Sequence, residues 1–211
     1  MEEEKNGVED LYIENNYFCI MKNLVIPFKK IGEKNWKENL ISLLEKFEID
    51  VEPLENKNLI HEVEKKFNCK FPKEMVDYYT YFGGIIDNPD FMYNLKSLQD
   101  FTSLSISNWD FATEQIKIED RKNFIVFAES SSSDPICIKI GTNDIYLFSH
   151  DPRRYAKVYN NFSGYVISEI IALQELLGDA DFENEIDKQK FLNELLKGND
   201  IDYEFRYMKL F

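Results

Sequence analysis

Ser130 to Ser133, His150 and the aspartates Asp134, Asp144 and Asp151 fall within one stretch, SSSSDPICIKIGTNDIYLFSHD. A serine, a histidine and a carboxylate are the ingredients of acyl-transfer chemistry. That chemistry also needs a sharp turn that exposes the nucleophile, and no G-x-S-x-G is present. A serine run before Asp-Pro reads more simply as a polar loop, so no catalytic residue is expected. The only other histidine, His61, stands beside Glu62 on an amphipathic pattern and is expected to be solvated. Two separated histidines supply a metal site poorly, and no phosphate loop, dinucleotide fingerprint, H-E-x-x-H or EF-hand spacing is present, so neither metal nor cofactor is expected. Arg153 and Arg154 are adjacent arginines in an acidic chain, read either as a solvated turn or as a carboxylate contact at the edge of an interface. Trp109, in Ser-Asn-Trp-Asp-Phe, is an interface anchor by residue type, or a plug in the core.

The elements that hold these residues can be read from periodicity. Trp36, Leu40, Leu43, Leu44 and Phe47 predict an amphipathic helix over 35–47, and Glu48 to Asn58, with Pro53, reads as a linker. Asn58 is placed as the cap of a helix bearing Leu59, Ile60, Val63 and Phe67. Pro72 suits the first turn of the next helix, and Gly83 and Gly84 are expected to end it at positive φ. Phe124–Ala128, Pro135–Ile140 and Asp144–Ser149 read as an antiparallel meander, with Tyr155–Tyr159 as a fourth strand. Asn161 or Ser163 caps a helix through Val166, Ile170, Leu173 and Leu177, which Gly178 ends. Further short strands are expected in Leu11–Phe28 and Ile201–Leu210, and a helix from Phe182 to Leu196 through Ile186 and Phe191. The class is α+β.

Composition narrows the partners. The 211 residues carry 39 acidic and 25 basic side chains, a net charge of −14. That field opposes nucleic acid, which needs a basic footprint, and an anionic membrane surface. It suits a basic protein partner, although acidity also serves solubility. With 17 Phe and 12 Tyr the chain is rich in side chains that serve cores and interfaces alike. Three dispersed cysteines (Cys19, Cys69, Cys137) point to a reducing compartment. The opening MEEEKNGVED resembles no signal peptide and no apolar run has spanning length, so a cytoplasmic protein is expected.

Two segments together resemble the SUKH superfamily, which holds bacterial toxin-immunity proteins and yeast regulators of cell-wall synthesis. The first is FNCKFPKEMVDYYTYFGG, where Glu64 just upstream stands at the family glutamate, Phe71-Pro72 stands for Leu-Pro, and Phe82-Gly83-Gly84 stands for Asn-Gly-Gly. The second places Asp134-Pro135, Cys137 and His150-Asp151 on the family's turn, strand, turn and strand end. The chain differs in having Ser133 for the usual glycine, Lys139 for a common aspartate and Phe82 for asparagine. The similarity runs over about 59–178, leaving 1–58 and 179–211 as N- and C-terminal extensions.

This resemblance implies a SUKH-like sheet packed with helices, and a protein that binds another protein rather than catalyses. The expected function is an intracellular immunity protein that neutralises a toxin domain, often a nuclease, with a non-enzymatic regulator or scaffold, or a ligand-binding protein or hydrolase, as alternatives. The residues expected at the partner interface are Asp87, Asp90, Trp109, Asp110, Glu129, Asp134, Asp144 and Asp151. Glu64, Pro72, Gly83, Gly84, Asp134, Pro135 and His150 are expected to carry structural roles of the family motif.

Overall fold

The computed structural model describes residues 24–51, 53–83, 95–106, 109, 114, 116–130, 132–151, 153–179 and 184–195. Asp87, Asp90, Asp110, Gly84 and the expected strands before Leu24 and after Asp200 lie outside them. Trp36, Leu40, Leu43 and Leu44 fall on one face and build α1 (Trp36–Lys46), as their spacing predicts. Two further helices follow, α2 (Asn58–Phe67) and α3 (Lys73–Phe82). Asn58 does not cap α2: it lies inside the helix, and the Asn56 side chain accepts its N–H one step earlier. Pro72 stands just before α3 rather than in its first turn, and its carbonyl accepts the Val76 N–H.

Gly83 also corrects an expectation. Its φ is −73°, so no left-handed backbone is needed. What it lacks room for is a side chain, because a Cβ there would run into the Tyr79 carbonyl. The glycine is a matter of space rather than of conformational freedom.

The sheet runs β1 (Thr102–Ser103), β2 (Phe124–Glu129), β3 (Pro135–Lys139), β4 (Ile145–His150) and β5 (Arg153–Tyr159), antiparallel throughout and in that spatial order. The short α4 (Ile118–Arg121) leads into β2. The meander is as the short apolar runs between turn residues predict, and β1 is an addition, too brief to leave a pattern of its own. One sheet face carries Ile125, Phe127, Ile136, Ile138, Ile145, Leu147 and Val158 into the main core. The other buries Phe124, Val126, Cys137 and Phe148 in a smaller cluster with Leu104.

α5 (Phe162–Leu176) is buried on nearly every side, the fate of a helix that is apolar all round. Asn161 caps it by accepting the Gly164 N–H, while Ser163 has a different task. Ser163 accepts the Ile31 N–H, and Glu74 of α3 accepts from both its hydroxyl (2.7 Å) and its N–H (3.0 Å). A buried carboxylate at this helix start stabilises exposed N–H groups and their dipole. Gly178, at φ +79°, ends the helical stretch, and Leu177 beyond α5 is exposed rather than on the apolar face. α6 (Glu185–Leu195) keeps Phe191 against the core but leaves Ile186 exposed, contrary to its expected place inside.

The segment from Leu24 joins the same core. Leu24–Phe28 forms no strand; instead the Gln174 carboxamide pairs with both the N–H and the carbonyl of Val25, each at 2.8 Å. Phe28 and Phe82 both pack on Trp36, with ring centroids 6.0 and 5.6 Å away. The expected linker is packed as well, since Ile49 and Leu54 are buried and the Leu54 N–H reaches the Thr80 carbonyl.

Candidate functional site

Four strand ends meet at one end of the sheet: the C-termini of β2 and β4 and the N-termini of β3 and β5. The β2–β3 connection is fixed by its own polar groups. The Ser130 hydroxyl accepts the N–H groups of Ser132 and Asp134, and its N–H donates to the Asp134 carbonyl at 2.8 Å. This occupies the Ser130 oxygen with the turn itself. Ser133 sits at φ +60°, the left-handed region that suits glycine, at the position where the resemblance leads one to expect glycine.

Asp134 is the anchor of this end. Its side chain is only 3 % exposed, and its Oδ1 accepts the His150 N–H at 3.0 Å. The His150 Nδ1 lies 2.6 Å from the same oxygen, which makes it the donor nitrogen when the aspartate is ionised. Asp134 therefore ties the start of β3 to the end of β4 through its carboxylate, while its carbonyl accepts the Ser130 N–H within the turn. Its place in the interior removes it from the surface a partner would touch. His150 stays 46 % exposed beyond it.

Around this anchor the structure gathers Trp109, Glu129 and Asp151. The Trp109 indole donates to the Ser133 carbonyl at 3.1 Å while its ring packs on the smaller cluster, so it is both half-buried and at the surface. Glu129 pairs with Lys96, which the sequence reading did not single out. Asp151 is exposed in the turn between β4 and β5. Arg153 belongs to β5 rather than to a free turn, and pairs with Glu114 at 2.9 Å. Asp144 is not part of this group: it precedes β4 at the opposite end, with Lys157 3.8 Å away.

The other motif residues hold elements together. Glu64 is buried near the end of α2 and accepts the Phe71 N–H at 3.0 Å and the Lys70 ammonium. Burial alone would raise its carboxyl, but those two bonds prevail and hold it below the ordinary value. His61, 3.8 Å from Glu64, is solvent-exposed as expected. Pro135 opens β3 opposite Glu129, where a missing N–H is tolerated.

Among the described residues, no group of three or more His, Cys, Asp and Glu side chains is placed to hold a metal ion, and no helix is long and apolar enough to cross a membrane. No curated protein and no solved structure matches the chain. The model of the SMI1 / KNR4 family (SUKH-1) matches residues 55–168, from the residue before Asn56 through the first half of α5. Helices α2 and α3, the antiparallel sheet and the Asp134–His150 tie all fall within that span, and the chain belongs to the SMI1 / KNR4 (SUKH-1) family.

Proposed function

We propose that the chain is an immunity protein that binds a cognate toxin domain in the cytoplasm and blocks it without catalysis. The observation that carries this reading is a net charge of −14 on a chain whose family binds partner proteins. A nuclease toxin must be basic to grip phosphates, and an acidic partner competes for that same surface. Opposite fields speed capture, and buried aromatic anchors then slow release. Trp109 suits the anchor role, since its indole is already held by Ser133 and loses little freedom on binding. Glu129 and Asp151 lie at the same end, and Asp87, Asp90, Asp110 and Asp144 complete the acidic set. Asp134 contributes by shaping the loop beneath them.

The test is charge reversal at Glu129, Asp144 and Asp151, together with Asp87, Asp90 and Asp110, each to Lys. Protection of cells against the toxin is expected to be lost while the thermal transition persists. Protection that survives reversal contradicts charge complementarity as the basis of capture.

A further inference from the structure

The strands β3 to β5 carry a row of side chains that the acidic character of the chain does not explain. Residues paired across the sheet share a face, and the register sets Tyr146 opposite Lys157, Phe148 opposite Tyr155, and His150 opposite Arg153. Cys137 opposite Tyr146 places β3, with Lys139, on the same face. Over β2 and β3 this face is covered, because Leu104, Ile116 and Trp109 pack on Phe124, Val126 and Cys137. Over β4 and β5 it opens among the described residues. Tyr155 is 41 % exposed and its ring stacks on buried Phe148 at 5.1 Å and 9°. Tyr146 lies 6.4 Å from Tyr155, and the Lys139 ammonium is 6.0 Å from the Tyr146 ring.

The β3–β5 strands place Lys139, Lys157 and Arg153 on this face and no carboxylate among them. The facing acids come from outside the strands. Asp144 is 3.8 Å from Lys157, and Glu114 pairs with Arg153 with both side chains 64 % exposed. Exposed pairs of this kind contribute little, so Arg153 can exchange Glu114 for another carboxylate at small cost. Tyrosine and arginine are the residues that most often carry binding energy, and a ring fixed by stacking loses little entropy when covered.

We infer that the open β4–β5 face, with Tyr146 and Tyr155 between Lys139, Lys157 and Arg153, is a docking surface for a carboxylate-rich protein segment. The proposal does not rest on the toxin reading, whose partner is basic and is met by acidic groups. It assigns the chain a second contact of opposite sign, carried by the β4–β5 part of the face rather than by the sheet end where Glu129 and Asp151 lie.

The test uses the full chain, labelled for amide NMR, and two extended peptides of about ten residues, one rich in Asp and Glu and one with Asn and Gln in their place. The acidic peptide is expected to shift the amides of Lys139, Tyr146, Arg153, Tyr155 and Lys157, in a salt-sensitive manner, and the neutral peptide is not. R153E/K157E is expected to weaken that binding at least about tenfold, and Y155A to weaken it with an unchanged fold. Equal shifts from both peptides, shifts elsewhere on the chain, or no shifts overturn the proposal. Concentration-dependent dimerisation by sedimentation that R153E/K157E abolishes would assign the face to a second copy of this chain, and so overturn a separate partner.

Discussion

At Ser133 a side chain occupies a backbone conformation, φ +60°, that glycine adopts freely and other residues adopt at a cost. Ser133→Gly should therefore stabilise the protein by about 1 kcal/mol, read as a higher midpoint of chemical unfolding. An unchanged or lower midpoint would show that the serine side chain makes up the difference. Glu64 is the opposite case, a side chain whose loss leaves a buried donor. Glu64→Ala strands the Phe71 N–H and should cost about 1–3 kcal/mol. Because the folded carboxyl is held below its ordinary value, its contribution is complete above that value and fades as pH falls through the folded one. The gap between wild type and Glu64→Gln should close on acidification.

Glu169 shows what a half-buried residue can conceal. Protein surrounds its carboxyl closely enough that burial pushes it up to about 7. The folded form keeps its proton to about pH 7, whereas the unfolded form releases it near 4.5. The contribution of Glu169 to stability should thus be complete below that lower value, decline as pH rises toward 7, and level off above it. The fall is on the order of 3 kcal/mol. Glu169→Gln should flatten this slope, as thermal unfolding at several pH values would reveal; an unchanged slope would move the cause elsewhere.

At the scale of elements, α1 and residues 24–35 before it are packed into the family fold rather than attached to it. Phe82, where the family resemblance leads one to expect asparagine, lies in the core against Trp36. Trp36→Ala should accordingly cost about 3–5 kcal/mol and shift one cooperative transition, with its denaturant slope unchanged. A separate early transition confined to the N-terminal part would contradict a shared core. What the sequence made legible here follows from local physics. Leucines at helical spacing gave α1, and short apolar runs between turn residues gave the three central strands, which are buried on both faces. The Val25 pairing with Gln174 was not legible, since it joins residues 149 apart through a side-chain amide. Nor was the reason for Gly83, which lies in an approach to Tyr79 and not in any pattern.

For the whole molecule, charge and shape divide the surface. The candidate end of the sheet was legible in part: Glu129 and Asp151 lie at strand ends that the meander pattern implies, while Trp109 reaches that end only through its bond to Ser133. Asp134 is buried in its structural role, which the sequence does not distinguish from an exposed one, because an Asp-Pro turn looks the same whether its carboxylate faces water or a neighbouring strand. Lys96 and Glu114 were passed over because their partners are far along the chain. The β4–β5 face had a signal that was available, since Arg153, Tyr155 and Lys157 alternate along one strand.

The proposed function has this acidic family member neutralising a basic toxin domain. The most direct measurement is capture of the bound partner by the tagged full chain at low salt, followed by growth of cells expressing that partner with and without this chain. The predicted result is a basic partner that arrests growth alone and is silenced by co-expression, with affinity that loosens steeply as salt rises. A partner that is harmless by itself, or one whose toxicity persists when this chain is present, would contradict the claim.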